Sequence, residues 1–405
     1  MKDYSRESLA LHEELRGKIS VELKTNLSTK KDLTLCYSPG VAEPCMQIAN
    51  DPDKAWTLTV KGNMVAVISD GSAVLGLGNI GPLAAMPVME GKAMLFKKFG
   101  GVDAFPICLD TQDTEELIRT IRLLAPTFGG INLEDISSPR CFEIEERLQD
   151  LGIPVFHDDQ HGTAIVTVAG LINACKLLGK KVEDLRVVIN GAGAAGIAIA
   201  NLLLGKDQDP DVFKPVKEVI LCDTKGVIHR DRKDLNSLKQ LLLTYTNPNN
   251  IKGTVRDAIE GADVFIGVSS ENILNADDIR TMAKDPIIFA MANPNPEIAP
   301  AVAYAGGAGV VGTGRSDLPN QVNNVLAFPG IFKGALEIRA TRITPRMKLA
   351  AAYAIADAVG ELSRDNIIPS SLNMGVADKV AEAVKAAWLD ELELNRLMEV
   401  VNHPL

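Results

Sequence analysis

A strand, a tight glycine turn and a helix in immediate succession constrain the fold of this chain more than any other feature. Residues 185–204 read LRVVINGAGAAGIAIANLLL. In such a turn the first glycine allows the sharp bend, the second lets a pyrophosphate approach the backbone, and the third lets the helix pack closely. The helix N-terminus adds N–H groups and a positive dipole end. The alternative is a glycine-rich packing turn. The pattern favours a Rossmann-type dinucleotide site formed by Gly191, Ala192, Gly193, Ala194, Ala195 and Gly196.

An acidic residue ends the next predicted strand, EVILCD, and bears on the choice of dinucleotide. Asp223 can accept hydrogen bonds from the adenosine ribose hydroxyls, and it repels a 2′-phosphate, which favours NAD over NADP. It follows Gly191 by 32 positions (191 to 223), more than the usual spacing of about 20. A polar insertion at 205–215 can absorb the excess. Lys225 could instead pair with a 2′-phosphate, so NADP stays possible.

Apolar strands alternate with helical stretches on both sides of that turn. Strands are predicted at 64–70, 104–110, 131–136, 154–159, 218–223, 263–269, 286–293 and 309–314. Such alternation is typical of parallel βα units, and 405 residues suit two or three domains. We therefore predict an α/β protein with an N-terminal α/β domain (1–160), a Rossmann-type domain with a parallel sheet (161–340) and a helical C-terminal tail (341–405).

Composition excludes several classes of protein. The formal net charge is −10, which disfavours binding to nucleic acid or to an anionic membrane surface. Six cysteines without a CxxC pair predict free thiols in a reducing cytoplasm rather than disulfides or a zinc ribbon. The first residues are charged and amphipathic, unlike a secretory signal. The most apolar window, 187–205, is better explained by the strand, turn and helix than by a membrane span.

Two acidic pairs lie at the ends of predicted strands. These are Glu134–Asp135 in INLEDI and Asp158–Asp159 in FHDDQHGTA. Any single pair could simply cap a following helix, but two pairs at the carboxyl ends of parallel strands favour Mg²⁺ or Mn²⁺. His157 and His161 invite a zinc interpretation. However, the first lies at a strand end and not on a helix face with the second, so a structural or supporting role is favoured.

Two further residues are ambiguous on the sequence alone. Lys92 lies in an apolar helical stretch predicted at 84–99. Burial would lower its pKa, as a general base requires, whereas a side chain that reaches water would keep its charge. Tyr37 begins the predicted loop YSPGVAEP at 37–44. Three asparagines that follow strands, Asn293, Asn323 and Asn324, are consistent with ordinary turns and caps.

Taken together, these segments resemble the malic enzyme family, in its short bacterial form. The similarity runs in the family's order from residue 37 to about 330. The matching segments are YSPGVAEPC, VISDGSAVLGLGNIGPLAAMPVMEGKA, INLEDI, FHDDQHGTA, NGAGAAG, ANPNPE and PNQVNNVLAFPG. The resemblance implies oxidation of L-malate by NAD(P)⁺ and decarboxylation to pyruvate and CO₂. It also implies a homodimer or a higher homo-oligomer.

The resemblance also implies roles for individual residues. Glu134, Asp135 and Asp159 would bind Mg²⁺ or Mn²⁺, with Asp158 supporting them from nearby. Lys92 would be the general base for the 2-hydroxyl, and Tyr37 the general acid that protonates C3 of the enolpyruvate. Asn293, Asn323 and Asn324 would orient substrate and nicotinamide.

One position departs from the family pattern. Larger malic enzymes have an arginine in the motif that here reads DGSAVLGLG, where it binds a malate carboxylate, and this chain has Ala73. Arg315, or the backbone N–H groups of Gly162 and Thr163, are the candidates for the missing role. Two alternatives stay open: a dehydrogenase that does not decarboxylate, and an NAD-binding regulator without activity.

Overall fold

The structure is a computed structural model that describes residues 4–74, 76–206, 208 and 213–402. Its strands are β1 (Met64–Ser69), β2 (Asp103–Cys108), β3 (Gly130–Leu133), β4 (Val155–His157), β5 (Arg186–Asn190), β6 (Glu218–Asp223), β7 (Gly226–Val227), β8 (Val264–Gly267), β9 (Ile287–Ala290) and β10 (Val310–Thr313). Its α-helices are α1 (Ser5–Leu15), α2 (Lys30–Cys36), α3 (Ala42–Asn50), α4 (Ala55–Leu58), α5 (Pro82–Leu95), α6 (Thr114–Leu124), α7 (Arg140–Glu146), α8 (Asp158–Leu178), α9 (Ala194–Leu203), α10 (Ser237–Leu242), α11 (Val255–Ile259), α12 (Ala276–Arg280), α13 (Pro300–Ala305), α14 (Phe328–Glu337), α15 (Pro345–Asp357) and α16 (Gly375–Asn402).

The first sheet has four parallel strands in the order β2-β1-β3-β4. Both of its faces are covered, so β1 is an almost continuous apolar run. Because side chains alternate along a strand, Val65 and Val67 join one core cluster and Ala66 and Ile68 join another. Because β3 and β4 are neighbouring parallel strands, their carboxyl ends lie side by side at one edge of this sheet.

The second sheet has six strands in the order β10-β9-β8-β5-β6-β7. Its ladders are parallel except for the short antiparallel pair of β6 and β7. The strand order reverses at β5, which lies between β8 and β6. In open α/β sheets such a switch point opens a crevice at the carboxyl ends of the strands, where ligands bind.

Helix α8 connects the two sheets and forms much of the core between them. It begins directly after β4 and packs against α9 and α15, while α14 and α15 pack against α16. By length and apolar composition α8 is long enough to cross a membrane, but 72% of its most apolar window is buried inside the protein. It is therefore a core helix.

The predicted α/β architecture is confirmed, and the predicted strands are present, most of them shorter than predicted. One prediction needs correction: the loop expected at 37–44 ends early, because α3 begins at Ala42. The long helix α8 was not predicted at all. The polar insertion at 205–215 lies largely outside the described residues. The domain limits stay predictions; the limit at residue 160 falls within α8.

Candidate active site

Four carboxylates meet where β3 and β4 end. Leu133 pairs with His157 in the parallel ladder, so the acidic pairs that follow these two residues must lie next to each other. Oxygen atoms of Glu134, Asp135 and Asp159 all lie within 4.8 Å of one another. The structure thus brings together the three residues that the sequence nominated as metal ligands. No histidine joins this group in the described part of the chain, so the zinc interpretation gains no support.

Local contacts fix the direction of these carboxylates. The amide of Asn132 donates to Glu134 Oε2 at 2.9 Å, and the backbone N–H of Asp135 donates to Asp159 Oδ2 at 2.8 Å. Asp135 adopts a φ of +53°, a conformation that aspartate tolerates better than most residues. A Cβ at Gly162 would lie 1.9 Å from Asp158 Oδ1. Position 162 must therefore be glycine for Asp158 to keep this orientation.

Lys92 projects from α5 into the same cluster and is buried. Its Nζ atom lies 2.5 Å from Asp158 Oδ2 and 2.9 Å from Glu134 Oε1. The aromatic ring of Phe328 lies 4.3 Å from Nζ and covers it, and the residue is only 7% exposed. The alternative in which the lysine reaches water is therefore wrong.

The electrostatics of the cluster differ from the expectation for Lys92. Burial alone would lower its pKa, but the carboxylates of Asp158 and Glu134 outweigh burial and raise the pKa above its usual value. Burial and neighbouring negative charge raise the pKa of Glu134 and of Asp159. Burial first, and then Glu134, raise the pKa of Asp158 to about 7. One lysine thus faces an excess of carboxylates, an arrangement that suits an additional cation.

The glycine turn has the geometry that its sequence predicts. Gly191 adopts a φ of +126°, and a Cβ at Gly196 would lie 1.8 Å from the carbonyl oxygen of Gly191. Nothing lies within 4 Å of a Cβ built on Gly193, the N-cap of α9. The turn borders a cavity of about 650 Å³ that Asp223 and Lys239 also line. This cavity is the candidate dinucleotide site.

Asp223 lies at the end of β6 as predicted, but protein donors already occupy its oxygens. Arg232 donates to both oxygens at 2.8 and 3.0 Å, Lys239 Nζ donates at 2.6 Å, and the backbone N–H of Lys225 donates at 2.9 Å. Burial would raise the pKa of Asp223, but Arg232 and Lys239 lower it to about 2. A carboxylate offers about four acceptor positions, so a ribose hydroxyl must displace one of these donors.

Tyr37 is not brought to the carboxylate cluster. It follows α2, it is 69% exposed, and in the described chain no hydrogen bond joins it to Lys92 or to the acidic residues. Between residues 4 and 64, no described residue is buried. The role implied for Tyr37 therefore stays a prediction.

The loops of the second sheet approach the first around Asn293. A Cβ at Gly76 would lie 3.3 Å from the Asn293 carbonyl oxygen, and one at Gly314 would lie 3.2 Å from Asn293 Nδ2. Arg315 is adjacent; it pairs with Asp317 at 2.6 Å and donates to the carbonyl oxygen of Pro294 at 3.3 Å. Asn293 and Arg315 thus lie on loops of the second sheet, and Asn293 faces the loop after β1 that contains Gly76.

The other two nominated asparagines lie at the start of a short 3₁₀ turn. Asn323 Oδ1 accepts a hydrogen bond from the N–H of Val325 at 2.9 Å, so this side chain is a cap in the structure. Asn324 packs beside Asp158, since its Cβ would lie 3.0 Å from a Cβ at Gly162. Only Asn324 is therefore in direct reach of the carboxylate cluster.

The loop that contains Ala73 is fixed by an arginine that the sequence analysis did not single out. Arg140 donates to Asp70 at 2.7 Å and to Ser72 Oγ at 3.0 Å. The N–H of Ala73 donates to the carbonyl oxygen of Asp135 at 2.9 Å, so this loop is tied to the cluster. In the sequence, the one feature that could have pointed to Arg140 is its position shortly after the strand predicted at 131–136.

A parallel sheet with a glycine turn for a dinucleotide, joined to a buried lysine and carboxylate cluster, defines a dinucleotide-linked oxidoreductase with a candidate divalent metal site. Comparison with known families is more specific. The N-terminal domain of malic enzymes matches residues 16–149, and the NAD binding domain of malic enzymes matches residues 160–388. The chain therefore belongs to the malic enzyme family.

Individual relatives agree with that assignment. The chain is 57% identical over 388 residues to the bifunctional malic/malolactic enzyme of Bacillus subtilis (strain 168), covering 95% of this chain and 93% of that protein. It is 48% identical over 392 residues to the NADP-dependent malic enzyme of Halomonas elongata, covering 92% and 90%. The crystal structure of the NAD-dependent malic enzyme of Thermotoga maritima superposes with a TM-score of 0.88 at 50% identity, covering 93% and 98%.

Proposed function

We propose that this chain oxidises L-malate with NAD⁺ or NADP⁺ and decarboxylates the product to pyruvate and CO₂. The observation that supports this most is the buried contact of Lys92 with Asp158 and Glu134, next to a group of carboxylates that fits a divalent cation. Relatives named for NAD and for NADP support use of either dinucleotide.

Glu134, Asp135 and Asp159 would hold Mg²⁺ or Mn²⁺. Oxygen donors that converge in this way are the ligands that such hard cations prefer, and the raised pKa values of Glu134 and Asp159 mean that added positive charge stabilises their ionised forms. When bound, the metal supplies Lewis-acid polarisation of the substrate oxygens.

Lys92 takes the proton of the malate 2-hydroxyl, and Asp158 is its partner in proton transfer. The 2.5 Å contact between Lys92 Nζ and Asp158 Oδ2 allows a proton to pass between them. Negative charge around Lys92 keeps its pKa high. Positive charge among these carboxylates would reduce that effect and bring the pKa of Lys92 closer to the range of a base.

In this proposal Tyr37 donates a proton to C3 of the enolpyruvate, as the family resemblance implies.

The chain is also proposed to form a homodimer. The N-terminal segment exposes many large apolar side chains on α1, on α2 and between them: Leu9, Leu15, Val21, Leu23, Leu33 and Leu35 are each about half exposed or more. Apolar surface of this kind is typical of a protein interface, and a second copy of the chain is the commonest partner in soluble oligomers.

All six cysteines are free thiols, which supports the proposal that the protein is located in a reducing cytoplasm.

In this proposal, asparagine side chains orient the substrate and the nicotinamide. Asn293, Asn323 and Asn324 take this role by resemblance, and the packing of Asn324 beside Asp158 supports it. Arg315 is preferred as the carboxylate anchor. Gly162 and Thr163 lie within α8, where their N–H groups bond to carbonyls four residues earlier.

The decisive assay follows NADH or NADPH formation from L-malate together with CO₂ release. Both must appear in equal amounts, and both must require Mg²⁺ or Mn²⁺. NADH without CO₂ identifies a dehydrogenase that does not decarboxylate. Thermal stabilisation by NAD⁺ without any turnover identifies a regulator, and either result contradicts the proposal.

A further inference from the structure

Glu145, on α7, lies behind the turn between β4 and α8 and is only 8% exposed. Its Oε1 accepts a hydrogen bond from the backbone N–H of His157 at 3.0 Å, and its Oε2 lies 2.9 Å from His161 Nε2. Of these two histidines, His157 directly precedes Asp158 and Asp159, and His161 follows Asp159 by two residues. A single carboxylate therefore contacts the chain on both sides of the two aspartates.

The backbone N–H of His157 is a buried donor at the start of α8, where His157 is the N-cap. The first N–H groups of a helix have no partner within the helix, and a buried N–H without a partner is costly. Glu145 supplies the acceptor for this N–H group from a different helix.

The pair formed by Glu145 and His161 also contacts the C-terminal helices. Lys348, on α15, lies with its Nζ 3.1 Å from His161 Nδ1 and 3.2 Å from His161 Nε2. The ring of His161 therefore lies between the carboxylate of Glu145 and the ammonium group of Lys348. Through His161 and Glu145, α15 is connected to the turn that contains the aspartates.

We propose that Glu145 is a positioning residue for the metal site: it fixes the turn so that Asp159 faces Glu134 and Asp135 while Asp158 faces Lys92. This inference rests on the proposed function. Residues that hold metal ligands from outside the coordination sphere contribute about 10- to 100-fold to metal affinity. The role of Glu145 is inferred from its contacts with His157 and His161, and no sequence motif indicates it.

The test is calorimetric titration of Mn²⁺ into the metal-free full-length protein. The variant Glu145→Gln keeps the shape of the side chain but removes its charge, and it is expected to bind Mn²⁺ at least about tenfold more weakly. The matched control Glu146→Gln changes the next, exposed residue of the same helix and is expected to bind like the wild type. A loss below tenfold in Glu145→Gln contradicts the inference, as does an equal loss in the control.

A second pair of variants keeps the test valid if Glu145→Gln does not fold. His161→Gln retains an amide that can donate to Glu145, whereas His161→Leu does not. We expect His161→Leu to weaken Mn²⁺ binding and His161→Gln to preserve it; equal affinities overturn the inference. If the wild type itself binds no Mn²⁺, the proposed metal site fails instead, so the two failures are distinguishable.

Discussion

Replacement of Lys92 by methionine probes the electrostatics of the cluster most sharply. Methionine keeps the length of the side chain and its packing against Phe328 but removes the ammonium group. Two carboxylates, Asp158 at 2.5 Å and Glu134 at 2.9 Å, then lose their cation in a buried site. Removal of one partner from a buried ion pair costs about 3–5 kcal/mol. We expect the metal-free variant to lose stability of that size near pH 8.

The loss of stability in Lys92→Met should become larger as the pH rises. Asp158 has a pKa raised to about 7, and without Lys92 this pKa rises further because an attractive charge is gone. A carboxyl group whose pKa is raised on folding binds more protons in the folded state, so its contribution to stability is lost as pH rises. The deficit of Lys92→Met should therefore be smaller near pH 5.5 than near pH 8.

Urea unfolding of the metal-free protein at the two pH values measures both effects. Lys97→Met is the matched control: its side chain is 64% exposed and pairs with Asp103 on the surface, so it should change stability by at most about 1 kcal/mol. A deficit for Lys92→Met within 1 kcal/mol of the control, or one that grows as pH falls, would refute the electrostatic reasoning. Turnover of malate should be lost in Lys92→Met and retained in Lys97→Met.

Three further outcomes are expected. Gly196→Ala places a Cβ 1.8 Å from the Gly191 carbonyl oxygen, so it should destabilise the fold by about 1–3 kcal/mol and abolish the thermal shift caused by NAD⁺; a normal shift would contradict the role of the turn. Lys239→Met frees one acceptor position on Asp223 Oδ2, which still accepts from Arg232, so kcat/KM for NAD⁺ should rise relative to NADP⁺, and an unchanged ratio would show that this lysine does not influence cofactor choice. Asn173→Leu removes two buried hydrogen bonds from α8 to carbonyls of the C-terminal region, at 2.8 and 3.0 Å, and should lower the melting temperature through a loss of about 2 kcal/mol; an unchanged melting temperature would contradict it.

Features that depend on neighbouring residues in the chain were predictable from the sequence. The strand, glycine turn and helix around Gly191 specify their own geometry, since each glycine answers a local steric need. The acidic pairs were also found, because parallel strands bring the residues after them to one edge. The burial of Lys92 depends on Phe328, which is more than two hundred residues away, and no local pattern reveals such a contact.

Features that arise from tertiary partners were missed or misjudged. The ribose contact of Asp223 stays a prediction, but the contacts that Arg232 and Lys239 make with its oxygens from the segment beyond the strand were not predicted. The sequence gives no sign of the contact between Glu145 and the backbone N–H of His157, because the two residues lie on different elements. Helix α8 lacked polar residues at helical spacing, because it is buried on nearly all sides, and a helix of that kind gives no amphipathic signal.

In the proposed function, malate turnover depends on a divalent cation held by Glu134, Asp135 and Asp159. The most direct measurement is the yield of NADH and CO₂ from L-malate by the full-length protein, stripped of metal by a chelator and then titrated with Mn²⁺. We predict no product before Mn²⁺ is added, and equal amounts of NADH and CO₂ afterwards, with both lost in Asp159→Asn. Undiminished turnover in the stripped protein, or full activity of the Asp159→Asn variant at low Mn²⁺, would contradict the claim.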